Sequence, residues 1–316
     1  MRFEAYAKTT ALPNIIVDGP RNASTVLALS HWARSGTPRA LLADTSAEIV
    51  LNYLAAADQQ VEALAVSNNH FDEDGLLGIY ALLNPADARA KHDLLVDASR
   101  VGDFDVYRNR SAARIAFAIG ALSHAESSPW PKALFTLPFG EQTAALYERA
   151  LEILPSLLDD PESFRQYWEG QDHRLTQSEA LLDAGQVIIE EQPALDLAIV
   201  RLPADAPRLH AAAIHSRTRM VRVAIVQGPR FDFYDRYETW VQLASRRPRL
   251  RVNLSALAAE LNLEQEGAGT WILDSAEDII PRLRLQGGAP RIDPDRILTR
   301  LRHHLATAPI AWNPYD

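Results

Sequence analysis

Ala63-Leu64-Ala65-Val66-Ser67-Asn68-Asn69-His70-Phe71-Asp72-Glu73-Asp74-Gly75-Leu76 carries an apolar run, a polar turn and the opening of a helix in direct succession. A short apolar run bounded by turn residues and followed by helical spacing is the sequence form of a βα unit. The same form recurs on either side of it. Asn14-Ile15-Ile16-Val17 is β-rich and stops at Asp18-Gly19-Pro20, and a helix is expected after Asn22 with Val26, Leu29 and Trp32 on one face. Ala40 to Ala43 reads as a second strand. It runs into Asp44, and Ser46 caps the helix that carries Ile49, Val50, Tyr53 and Leu54. Leu76 to Leu83 is a helix stopped by Asn84-Pro85, Asp93 to Val96 a further strand, and Ser111 to Leu122 a further helix. Residues 1–125 are therefore expected to form an α/β domain with a doubly wound, mostly parallel sheet.

Residues 126–185 read as a helical linker region, broken at Pro155 and Pro161. From 186 to 316 the pattern turns β-rich, which predicts a second, smaller α+β domain. Its strands are expected at Gln186–Ile189, Leu195–Val200, Met220–Val226, Trp240–Ala244 and Trp271–Leu273, with helices at Leu254–Leu261 and Pro294–Leu305.

Composition narrows the function classes. The 316 residues include 41 acidic and 32 basic side chains, a net charge of −9, and no cysteine. Disulfides, thiolate zinc sites, iron–sulfur clusters and cysteine nucleophiles are excluded together. The acidic balance argues against coating long nucleic acid, whose phosphates select basic surfaces, but leaves room for a small nucleotide or an oligonucleotide end held at a metal. The N-terminus has no apolar leader and no stretch is long enough to span a bilayer, so a cytoplasmic protein without a membrane partner is expected.

Chemistry concentrates where the strands end. Asp18, Asp44, Asp72 with Asp74, and Asp97 each fall at or near a strand terminus, with Asp103 just beyond, and the carboxyl ends of a parallel sheet line one edge where ligands bind. An aspartate after a strand also serves as a turn residue or helix cap, so each has this plainer reading. Between His70 and Asp74 one imidazole and three carboxylates are packed together, a concentration of charge that a bound cation relieves. His70, Asp72 and Asp74 alternate and can converge on one or two ions, for which mixed imidazole and carboxylate ligation suits Mn, Mg, Fe or Zn. The competing reading is a solvated acidic turn with Asp74 as helix cap. His31, set between Ser30 and Trp32 on the expected helix, reads as a packed histidine rather than a ligand.

Asn-x-His-x-Asp-x-Asp-Gly after a strand and before a helix resembles the first motif of the DHH phosphoesterase superfamily. By that resemblance His70, Asp72 and Asp74 are metal ligands, and Asp97 in Leu94-Leu95-Val96-Asp97 matches the bridging aspartate of the second motif. Further on, Ser245-Arg246-Arg247, Val252-Asn253-Leu254-Ser255 and Gly267-Ala268-Gly269 follow the order of that superfamily's C-terminal domain, which implies substrate-phosphate contacts at Arg246 and Arg247. The name-giving Asp-His-His triplet is absent, so no general acid is assigned. Phe71-Asp72-Glu73-Asp74-Gly75-Leu76 also resembles the nucleophile motif of haloacid-dehalogenase-like enzymes. The whole chain, through Asn68 to Gly75 and Tyr237 to Gln242, resembles a bacterial family of unknown function. The resulting expectation is a divalent-metal-dependent phosphoesterase, with Mn as the ion and a small phosphorylated substrate. The alternatives are a noncatalytic binding or scaffold protein, or a metal-dependent enzyme on a non-phosphate substrate.

Overall fold

Ile15, Ile16 and Val17 are at most 1% exposed, because the strand they form is covered on both faces. In the computed structural model, which describes residues 1–316, this strand lies inside a four-stranded sheet. Strands β1 (Arg2–Phe3), β2 (Asn14–Val17), β3 (Thr25–Leu29) and β4 (Ala65–Ser67) run in the order β1-β4-β2-β3, with every pair parallel. Helix α1 (Ser46–Ala55) precedes β4. After it come α2 (Glu73–Leu83), α3 (Pro85–Ala90), α4 (His92–Phe104), α5 (Arg110–Leu122), α6 (Phe139–Asp159) and α7 (Arg165–Asp183). One apolar core joins β2, β3, α1, α2, α4, α5 and α6. The chain is thus α/β with a second, smaller unit. The first unit comprises Met1–Arg174 and Leu243–Arg246, and the second Leu175–Gln242 and Arg247–Asp316.

Several expected elements take another form. The segment expected as a helix after Asn22 is strand β3, since Thr25-Val26-Leu27 is a β-favouring run that pairs with β2. The expected strand at Ala40–Ala43 is a 3₁₀ turn over Arg39–Leu41. The expected strand at Asp93–Val96 is the start of α4. A three-residue apolar run fits either state, and the deeply buried positions Leu95, Ala98, Val101 and Phe104 recur at helical spacing. Pro155 does not break α6, which continues to Asp159.

In the second unit β5 (Ile188–Gln192), β6 (Leu197–Leu202), β7 (Arg222–Gln227) and β8 (Arg230–Asp235) are joined by β10 (Thr270–Leu273) and β11 (Arg282–Gln286). The sheet order is β10-β11-β8-β7-β6-β5, antiparallel except for β6 beside β7. Helix α8 (Ala211–His215) lies between β6 and β7 in the chain, and α9 (Ser255–Glu264) and α10 (Pro294–Thr307) contribute to the core with β6, β7, β8, β10 and β11. Strands β9 (Arg251–Val252) and β12 (Ile310–Trp312) form a separate pair. The strand expected at Trp240–Ala244 is absent, and β8 and β11 were not anticipated. Arg251 is wholly buried. It donates to the carbonyls of Ala276, Asp278 and Ile279 and to the Thr239 hydroxyl. No helix is long and apolar enough to cross a membrane.

The first unit depends on a close approach at Gly78. A Cβ there would lie 2.7 Å from Val17 Cγ1 and 3.5 Å from Ala47 Cα, so the glycine lets α2 settle against β2 and α1. Gly78→Val is expected to destabilise this unit by about 1–3 kcal/mol, the range for overpacking a close-packed interior. Urea unfolding followed by circular dichroism measures it, and an unchanged midpoint would show the contact to be slack.

Candidate metal centre

Three chain turns at the carboxyl edge of the parallel sheet build the site. β2 ends at Val17, and Asp18 follows with a φ of 50°, a left-handed conformation that aspartate tolerates better than most residues. β3 ends two residues before His31, and β4 ends three residues before His70. Asp72 then caps α2, its Oδ1 accepting from the Gly75 N–H at 2.8 Å, and Asp74 stands in the first turn of that helix. Asp103 comes from the last turn of α4.

Asp18 occupies the middle. Its Oδ1 lies 3.3 Å from His31 Nε2 and accepts from the Ser46 hydroxyl at 2.8 Å, while its Oδ2 lies 3.3 Å from His70 Nε2. Each carboxylate oxygen therefore faces a different imidazole. His31 Nε2 also sits 3.6 Å from Asp103 Oδ2 and 4.0 Å from Asp74 Oδ2, and His70 Nε2 sits 3.1 Å from Asp72 Oδ2. Two ligand sets result, Asp18 with His31 and Asp74, and Asp18 with His70 and Asp72. Within each, the donor atoms lie within 4.8 Å of one another. The first set is sealed from solvent, whereas the His70 and Asp72 side chains keep 25% and 26% exposure, so the centre opens on that side.

The surroundings hold these groups in ligand-ready form. His31 Nδ1 is 2.7 Å from the Asp44 carbonyl, which can only accept, so the proton is on Nδ1 and Nε2 is directed at the carboxylates. His70 Nδ1 is 3.1 Å from Asn69 Oδ1, and the same arrangement follows there. Orientation of a ligating imidazole by an acceptor on its other nitrogen is the usual support of a metal site. Asp74 accepts from the Ser46 and Ala47 N–H groups, at 2.6 Å and 2.8 Å, so the start of α1 fixes its plane.

Charge in the cluster is unbalanced. Asp18, Asp74 and Asp103 are nearly or fully buried, and Asp103 Oδ2 has no hydrogen-bond partner. Burial and the neighbouring Asp18 charge push Asp74 up to about 7, burial and Asp72 push Glu73 up to about 8, and Asp103 is also raised, mainly by burial. Burial works against protonation of His70, but Asp72 and Asp18 outweigh it and raise the group to about 11. Asp18 is held below the ordinary carboxylate range by the two imidazoles, despite its burial. In the metal-free protein, protons held by the raised carboxyls and by the imidazoles offset the buried carboxylate charge, and a bound cation would do so in their place. The Asp18, His31 and Asp74 group could hold a metal ion.

Comparison with known proteins places the whole chain. The profile of a family of unknown function, DUF6687, matches residues 1–316. The chain belongs to that family. Neither curated proteins nor solved structures gave a match.

In this DUF6687 chain the structure brings together Asp18, His70, Asp72, Asp74 and Asp103 from the residues anticipated in the sequence. Asp97 stands apart. It lies in α4, and its carboxylate accepts from the Arg108 and Asn109 N–H groups, capping the turn into α5. Asp44 also keeps its side chain away from the cluster, accepting from the Ala244 and Ser245 N–H groups and the Ser245 hydroxyl. Arg246 belongs to the short segment counted with the first unit, whereas the Arg247 guanidinium lies over the Tyr315 ring, 4.5 Å from its centroid, in the second. His31 is the candidate ligand that the sequence reading missed. Once 25–29 is a strand, His31 falls at the sheet edge, and the β-branched Thr25-Val26 pair was the available signal.

The shifted groups give a pH dependence with a defined sign. Folded Asp74 and Glu73 retain protons that the unfolded chain releases above about 4, so stability of the metal-free protein falls as pH rises from about 4.5 to 8. His70 acts in the same direction, its contribution complete below the unfolded value of about 6.5 and lost as pH rises toward 11. Thermal unfolding of chelator-treated protein should show a midpoint that declines from pH 5 to 8.5. A divalent cation at a hundred times its Kd should raise stability by about 2.7 kcal/mol at the alkaline end, and a midpoint insensitive to both would contradict the site.

Proposed function

We propose that the chain is a divalent-metal-dependent phosphoesterase acting on a small nucleotide or short oligonucleotide, with manganese as the ion. The observation that carries this reading is the shared carboxylate: Asp18 presents one oxygen to the set containing His31 and Asp74 and the other to the set containing His70 and Asp72. All donors are carboxylate oxygen or imidazole nitrogen, the mixture suited to Mn, Mg, Fe or Zn rather than to a soft ion. The His-x-Asp-x-Asp-Gly stretch, similar to the first motif of DHH phosphoesterases, supports it further, with Asp18 rather than Asp97 as the aspartate common to both sets. Two bound ions would lower the pKa of a water and offset charge developing on a phosphoryl oxygen.

The chain's own residues supply the rest. His31 and Asp74 form the closed side of the centre, and His70 and Asp72 the side that solvent reaches, so substrate enters past His70. Asp103 Oδ2, 3.6 Å from His31 Nε2, brings one more buried carboxyl group to that side. Arg246 is the arginine proposed for a substrate phosphate, since a guanidinium fork matches phosphate oxygens and the segment carrying it is anchored by Asp44. The net charge of −9 fits a small phosphorylated partner better than long nucleic acid or an anionic membrane surface.

Metal analysis of protein purified without chelator, followed by hydrolysis of bis-p-nitrophenyl phosphate with added Mn, tests the reading. The expected result is stoichiometric metal and Mn-dependent turnover, with Asp18→Asn losing on the order of 100-fold or more, beyond the cost of disturbing an outer partner, while Asp97→Asn retains turnover. Metal without turnover would leave a binding protein. Equal loss in both variants would remove Asp18 from its special place.

A further inference from the structure

The two histidines are oriented by different devices, and the one behind His70 is elaborate. His31 leans on a backbone carbonyl, whereas His70 leans on the side chain of its neighbour, Asn69. Asn69 is itself fixed. Its N–H donates to Asn68 Oδ1 at 2.6 Å, and Asn68 Nδ2 donates to the Tyr147 hydroxyl at 3.1 Å. Tyr147 is fully buried and packs against the Phe3 and Phe71 rings, each 5.1 Å from it between centroids.

Two glycines make the space for this chain of contacts. A Cβ at position 75 would lie 2.4 Å from Asn68 Nδ2 and 2.5 Å from the Tyr147 hydroxyl oxygen. A Cβ at position 19 would lie 2.7 Å from Asn68 Oδ1 and 2.9 Å from Asn69 Oδ1. The two amides thus occupy a slot between the turn after β2 and the start of α2, the same two elements that supply Asp18, Asp72 and Asp74. A pair of turn-forming asparagines would need neither a buried tyrosine behind them nor two side-chain-free positions around them.

We propose that Asn69 is a positioning residue for His70, backed by Asn68 and Tyr147, and that it sets the affinity of one of the two ion sites without setting the other. The proposal rests on the reading of a two-ion centre. By accepting from Nδ1–H, the Asn69 amide oxygen keeps the Nε2 lone pair of His70 directed at Asp18 and Asp72. The His31 half has its own support in the Asp44 carbonyl, so loss of the Asn69 acceptor weakens only the set containing His70 and Asp72.

The experiment is calorimetric titration of chelator-treated full-length protein with Mn²⁺, for wild type, Asn69→Leu and Asn69→Asp, with thermal midpoints recorded to show that each is folded. Wild type is expected to titrate two sites. Asn69→Leu, of similar size but without an acceptor, should weaken one site by about 10–100-fold, the usual cost of losing an outer-shell partner, and leave the other unchanged. Asn69→Asp can only accept and should restore the weakened site. Tyr147→Phe, one link further back, should weaken that same site by less. Two sites in wild type with both affinities unchanged in Asn69→Leu would overturn this proposal alone, as would equal weakening of both. A wild type that takes up no ion would overturn it together with the two-ion reading.

Discussion

Asp18 is a carboxylate with almost no access to water, placed between two imidazoles at the end of the second strand. Much of the first unit can be understood as the means of keeping it there. The parallel sheet brings three strand ends to one edge, the start of α1 turns two N–H groups and a hydroxyl toward the acidic cluster, and α2 presents its capping aspartate and its first turn to the same point. Each device would be ordinary alone. Together they concentrate negative charge where solvation is poorest, an arrangement that natural proteins keep when a ligand compensates for it.

How much of this was readable follows from how far apart the participants lie in sequence. His70, Asp72 and Asp74 form a local pattern, a strand, a polar turn and a helix, and such a pattern survives translation into three dimensions because one backbone segment carries it. Asp18 also followed from its strand, although its place at the middle of the cluster did not. His31 was hidden by a wrong period: Val26, Leu29 and Trp32 satisfy a helical spacing, but pairing with β2 decides the matter, and pairing is not visible in a single segment. Asp97 failed for the converse reason. An apolar run of three residues reads as a strand, and a carboxylate at its end as a ligand, yet the run lies in the first turns of a thirteen-residue helix.

The second unit shows the same limit at its charged positions. Arg251, in a stretch with four arginines in six residues, is interior and satisfies the carbonyls of a loop more than twenty residues away in sequence. Hydrophobic patterning found β6, β7, β10, α9 and α10 because burial of apolar surface dominates their placement. It is silent about a buried guanidinium, whose position is fixed by the acceptors it meets rather than by its own polarity.

The first unit is not continuous along the chain: it is completed by Leu243–Arg246, and the partner of that segment is the carboxylate of Asp44, whose carbonyl also orients His31. Synthesis proceeds from the N-terminus, and domains generally fold as units once their residues are available. Here the α/β core can assemble after residue 174 has emerged, but the Asp44 carboxylate then has only the Arg100 guanidinium, 3.9 Å away, until the ribosome has made the intervening stretch. The first unit is therefore completed in two instalments, the second of which closes on the side chain of the residue whose carbonyl orients His31.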